Sequence, residues 1–117
     1  MGNNNGKLSV NEMVFKLKAD FLRSLAHPAR LAIIEYLKRG EASVGQMVTD
    51  LGIEQSGLSK HLATLRQAGI LASRQEKVSV YYAIKDKEIF DVLRPIAEIL
   101  KRKLKESEDM LTSLGRM

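Results

Sequence analysis

Val44-Gly45-Gln46-Met47-Val48-Thr49-Asp50-Leu51-Gly52-Ile53-Glu54-Gln55-Ser56-Gly57-Leu58-Ser59-Lys60-His61-Leu62 is the stretch from which the rest of the chain can be read. A short helix is expected over about Val44 to Leu51. Gly52 ends it, as a glycine free to turn left-handed does, and Ile53 packs in the turn. A second helix begins near Gln55 and runs to about Ala68, where Gly69 stops it. On that second helix Leu58, Leu62 and Leu65 share one face. Ser56, Lys60, Ala63 and Gln67 point the opposite way, with Ser59 to one side. One face anchors the helix to a core. The other carries short polar groups and no bulky acid, so it can approach a second surface closely.

Upstream, Met13, Val14, Leu17, Phe21 and Leu25 recur at helical spacing and predict a first helix from about Ser9 to Leu25. Ser9 with Glu12 resembles a capping box. His27-Pro28 breaks that helix, and Pro28 opens the next, because a missing N–H is harmless in a first turn. This helix reaches about Arg39, with Leu31, Ile34 and Leu37 on one face and Ala29 and Ile33 beside them; Gly40 follows its end. Downstream, Ile70 to Arg74 and Ser79 to Ile84 read as two strands around a polar turn, Gln75-Glu76-Lys77. A long helix over 87–114 carries Ile89, Val92, Leu93, Ile96, Leu100 and Leu104 as an apolar stripe. Pro95 inside it either kinks the helix or marks a restart.

The sum is a mainly α chain with a small β-hairpin, in the order α-α-α-α-β-β-α. Short helix, glycine turn, second helix and hairpin form the winged helix-turn-helix arrangement. Residues 1–8 are expected as a disordered arm and 9–114 as one domain. The apolar residues of helices 9–25 and 87–114 exceed what a monomer would bury, which predicts a homodimer through the first and last helices.

The chain has 117 residues, room for one ordinary domain. Its formal net charge is +5. Between Gln55 and Lys85 the charged residues are Lys60, Arg66, Arg74, Lys77 and Lys85 against the single acid Glu76, so most of the excess lies in one quarter of the chain. A polyanionic partner suits such a patch. There is no cysteine, which excludes disulfides, thiolate metal sites and thiol redox switches. There is no Trp, and aromatic residues make up 5% of the chain, too few for a base-stacking single-strand binder. No apolar run approaches the roughly 20 residues that span a bilayer, and Met1 to Lys7 lacks the regions of a secretory signal. A cytoplasmic protein without a membrane partner is the expectation.

These features predict that the helix from Gln55 enters the major groove of double-stranded DNA with its N-terminal half. Serine and glutamine hydrogen-bond to bases or phosphates, and lysine reaches guanine acceptors. Gln55, Ser56, Ser59 and Lys60 are therefore assigned to base reading, against the alternative of an ordinary solvated face. Arg66 is either a phosphate contact or half of an ion pair. Arg74, Gln75 and Lys77 are assigned to the wing, where a basic tip reaches the minor groove or its phosphates. A winged-helix module that binds protein and not DNA is the competing class. An enzyme is not expected: the chain has no cysteine nucleophile, phosphate loop or metal motif.

The segment from Leu22 to Ile84 resembles the ArsR family of repressors. Leu25-Ala26-His27-Pro28-Ala29-Arg30-Leu31, Gln55 to Leu62, Leu65-Arg66-Gln67-Ala68-Gly69-Ile70-Leu71 and Val80-Tyr81-Tyr82 carry the likeness together. The resemblance implies a symmetric dimer on an imperfect palindrome, blocking transcription, with the first and last helices paired across the two-fold axis. It implies that His27 belongs to the structural turn before the second helix and that His61 lies near the DNA backbone. His61, Thr64 and Arg66 are assigned to backbone contacts.

The chain departs from the family's metal sensors. Their Cys-x-Cys pair would fall in Ala42-Ser43-Val44-Gly45-Gln46, which has no thiolate. Their Asp and His site would fall on the last helix, which has Asp91, Glu98, Glu106, Glu108 and Asp109 but no histidine. Carboxylates alone suit neither soft metals nor zinc. No metal and no cofactor is expected. An effector, where one acts, is expected to be a small organic molecule or a partner protein.

Overall fold

The computed structural model describes residues 5–116. Its elements are α1 (Asn5–Leu25), α2 (Pro28–Leu37), β1 (Ala42–Ser43), α3 (Val44–Leu51), α4 (Gln55–Gln67), β2 (Leu71–Glu76), β3 (Ser79–Ile84) and α5 (Ile89–Gly115). The chain divides between Lys85 and Asp86 into two units. The arm expected over residues 1–8 lies outside the described residues for 1–4, and α1 begins at Asn5. Ser9 is therefore inside the helix, not capping it.

Local chemistry sets each boundary in the first unit. His27 has extended backbone, and its Nδ1 accepts the Ala29 N–H at 3.0 Å, with Pro28 in the first turn. Ser43 and Gln46 form a reciprocal capping box at the start of α3, so two orphan donors are satisfied. Gly52 ends α3 at φ 66, where a Cβ would be strained. The α4 helix closes in a Schellman motif: Ile70 N–H donates to Leu65 C=O and Gly69 N–H to Arg66 C=O, both at 3.0 Å. That motif turns the chain directly into β2.

Ile33, Ile34 and Leu37 of α2, Met47 of α3, Leu58, Leu62 and Leu65 of α4 and Leu71 of β2 are almost wholly buried. Ile34 and Leu37 of the expected α2 face are buried. Leu31 is exposed, and Ile33 takes its place in the core. Tyr36 donates its hydroxyl to Asp50, and Arg39 pairs with the same carboxylate at 3.1 Å, which braces α3 against α2.

The sheet has three strands in the order β1-β3-β2, all antiparallel. Sequence reading gives two, because β1 is only Ala42–Ser43, paired to Tyr82 and Tyr81. Gln75 and Glu76 pair with Val80 and Ser79, so they belong to β2 and not to the turn. The turn is Lys77-Val78, with Lys77 at φ 58 and Val78 95% exposed.

In the second unit α5 runs unbroken through Pro95. The proline forfeits one backbone bond without ending the helix. Asp86 Oδ1 accepts the Glu88 N–H at 2.9 Å just ahead of the first turn. Arg94–Asp91, Lys101–Glu98 and Lys105–Asp109 pair along its polar side. Among the described residues, no helix is long and apolar enough to cross a membrane.

Candidate nucleic-acid interface

The α4 helix sits on three leucines, Leu58, Leu62 and Leu65, each without solvent exposure. Burying a leucine contributes about 1.5–3 kcal/mol, so the rotation of α4 about its own axis is firmly fixed. That rotation leaves Gln55, Ser56, Ser59 and Lys60 exposed together on the outer face. Ser56 is already engaged: its Oγ donates to Glu54 Oε1 at 2.8 Å. Glu54 stands at the N-cap of α4 and makes no cap bond there.

The three residues assigned to backbone contacts differ in their surroundings. Thr64 is half-buried, and its hydroxyl donates back to the Lys60 carbonyl at 3.2 Å. Arg66 is exposed and makes no ion pair among the described residues, so the ion-pair alternative for it is not realised. His61 is half-buried and packs against His27, ring centroids 4.3 Å apart and planes tilted by 46°. Arg30 Nε donates to His61 Nδ1 at 3.1 Å, and Arg30 Nη1 donates to the carbonyls of Arg23 and Ser24 at the end of α1. With Nδ1 accepting, the His61 proton belongs on Nε2. Burial, then the neighbouring His27, Arg30 and Lys60, push the His61 pKa below its ordinary value.

The three residues assigned to the wing all lie on the β2–β3 hairpin, in different surroundings. Arg74 is on β2, and its guanidinium grips Glu41 through two bonds of 2.7 Å while also pairing with Glu76 at 3.0 Å. It lies over the Tyr81 ring, 4.5 Å from the centroid. Arg74 holds the Glu41 carboxyl below its usual range and is itself kept all the more firmly protonated. Gln75 is also on β2 and donates to the Lys77 carbonyl at 3.3 Å. Of the three, only Lys77 occupies the tip. A cleft of about 370 Å³ separates the tip from α4, lined by Ser43, Gln55, Ser59, Val78, Ser79 and Tyr82 among others. Its polar lining consists of hydroxyls and one amide side chain, without a formal charge.

Residues 27–73 match the family described as bacterial regulatory protein, arsR family. The chain is 38% identical over 105 residues to an uncharacterized HTH-type transcriptional regulator of Mycobacterium tuberculosis, Rv0081, covering 89% of this chain and 92% of that one. The chain belongs to the arsR family. It is a DNA-binding transcriptional regulator and not an enzyme. The crystal structure of the Mycobacterium tuberculosis protein superimposes with a TM-score of 0.72 at 39% identity, over 80% of this chain and 94% of that one. NolR from Sinorhizobium fredii gives 0.70 at 30% identity, over 76% and 89%.

The arsR-family frame accounts for the winged helix-turn-helix, and the buried leucines account for the facing of α4. Residues that sequence reading missed stand beside it. Arg30 lies within the quoted Leu25–Leu31 match yet carries no assigned role there, and its reach to His61 spans 31 positions. Glu54 is the other. Its signal was the absence of any Ser, Thr, Asp or Asn immediately ahead of Gln55, the position such caps favour.

Proposed function

We propose that this arsR-family regulator reads a specific duplex operator through the outer face of α4, with Gln55, Ser56, Ser59 and Lys60 at base edges. The observation that carries this reading is a polar face over the first two turns of α4, bordered by Glu54 at the N-cap and held in place by three fully buried leucines. His61, through Nε2–H, and Arg66 contact phosphates. Thr64 does so only if its hydroxyl leaves the Lys60 carbonyl. At the wing, Lys77 makes the contact; Gln75 supports the tip, and Arg74 reaches DNA only by releasing Glu41.

The protein acts as a homodimer in the cytoplasm. Two copies cover the exposed apolar faces of α1 and α5, and the paired recognition helices enter successive major grooves roughly 34 Å apart on an imperfect palindrome. Repression follows where that operator overlaps a promoter. Phosphate contacts release counterions, so affinity falls steeply with salt.

The test is a gel-shift competition between operator and random duplex DNA. Ser59→Ala with Lys60→Ala should lose about 1–3 kcal/mol of discrimination for each base contact removed. An operator preference equal to that of the wild-type protein would falsify the base-reading assignment.

A further inference from the structure

Glu54 is the one acid at the groove-entering end of α4, and three observations set it apart. It occupies an N-cap position, where Ser, Thr, Asp and Asn are the residues that bond the first-turn N–H groups, and it forms no such bond. Among the described residues no cation pairs with it. Its hydrogen bond is to Ser56 Oγ, accepted by Oε1 at 2.8 Å, so Oε2 stays open to an incoming donor. A free carboxylate between phosphate backbones is repelled unless a donor meets it.

The major groove offers few donors. Guanine presents the acceptors O6 and N7, and thymine presents O4 and a methyl group. Adenine presents an amino group with the N7 acceptor beside it, a pair that suits a side-chain amide. Cytosine presents N4–H₂ alone, which is the match for a carboxylate. We propose that Glu54, oriented by Ser56, selects cytosine at one position of each half-site and rejects thymine and guanine there. This rests on the reading that α4 enters the major groove. An acid at a helix N-terminus also favours the helix itself, but that effect acts without DNA and carries no base preference.

The experiment is selection of bound sequences from random duplex DNA, using the full chain as wild type, Glu54→Ala and Glu54→Gln. The wild-type motif should hold a cytosine that Glu54→Ala spreads over all four bases. Glu54→Gln should move that position toward adenine, which an amide reads through N6 and N7. Placing thymine there should weaken wild-type binding roughly 5- to 150-fold and leave Glu54→Ala nearly unaffected. Three identical motifs overturn the proposal and leave DNA reading intact, even where both variants bind every duplex more tightly. A wild-type protein that enriches no motif removes both readings. The wild-type protein alone also decides the matter if a variant fails to fold: no cytosine in the half-site whose replacement by thymine carries that loss overturns the proposal.

Discussion

The leucines of α4 and those of α5 lie on amphipathic helices of the same chain and meet opposite fates. Leu58, Leu62 and Leu65 have no exposed surface, whereas Leu104 is 70% exposed, with Ile96, Ile99 and Leu100 around half exposed. The α1 helix repeats the second pattern, with Phe15 67% and Leu17 68% exposed. The first region is closed by its own chain. It can therefore present Gln55, Ser56, Ser59 and Lys60 at a fixed angle before any partner arrives. The second region leaves apolar surface exposed, and covering it is worth about 25 cal/mol for each Å² removed from water. Under the proposed function, the first region is the reading head and the second is what pairs two reading heads.

The sharpest way to break this contrast is to cut one leucine from each side. Leu62→Ala should destabilise the fold by about 2–5 kcal/mol through lost burial and a residual cavity. Urea unfolding followed by circular dichroism measures it, and an unshifted midpoint would mean that α4 is not anchored as described. Leu104→Glu should act on the other side. It should leave the helical signal in place at high concentration yet weaken self-association at least tenfold, equivalent to about 1.4 kcal/mol. Sedimentation equilibrium reads this directly, and a melting temperature that depends on protein concentration supports it. A Leu104→Glu protein that associates as tightly as the wild type removes the α5 stripe from the interface.

The same contrast explains what was legible in the sequence. A period of 3.6 over Leu58, Leu62 and Leu65 names the buried face of α4 without any knowledge of its neighbours. Leu31 and Ile33 are both apolar and nearly adjacent, so only the position of α3 and α4 decides which is buried. The β1 strand has two residues and no period at all. Gln75 and Glu76 are polar and exposed in the hairpin, which is the composition of a turn. The true tip instead uses Val78, a residue whose β-branch argues for a strand. Arg74 looks free in sequence because its partner Glu41 lies 33 positions away. Short-range pattern finds faces; it does not find partners that only the fold brings together.

The smallest expected effect concerns the join between α1 and α4. Arg30 bonds to the end of α1 through the Arg23 and Ser24 carbonyls and to α4 through His61 Nδ1. Protonating His61 places an N–H where Arg30 already donates, beside His27 and Lys60, so the charged form is disfavoured by burial and by those neighbours. The folded pKa lies below the ordinary 6.5. In the window just below pH 6.5 the unfolded chain therefore binds more protons, and stability rises with pH across it. The contribution is fully present above about pH 6.5 and is lost as the pH falls through the lowered folded pKa. Asp20 and Glu41, whose pKa values are lowered by Lys16 and Arg74, lose their contributions only below the ordinary carboxylate range, which separates the two effects. His61→Gln keeps an acceptor for Arg30 and cannot titrate. Its melting temperature should fall less between pH 7.5 and 5 than that of the wild type. Parallel profiles would show that the Arg30–His61 bond does not tie the apolar α1 helix to the reading head.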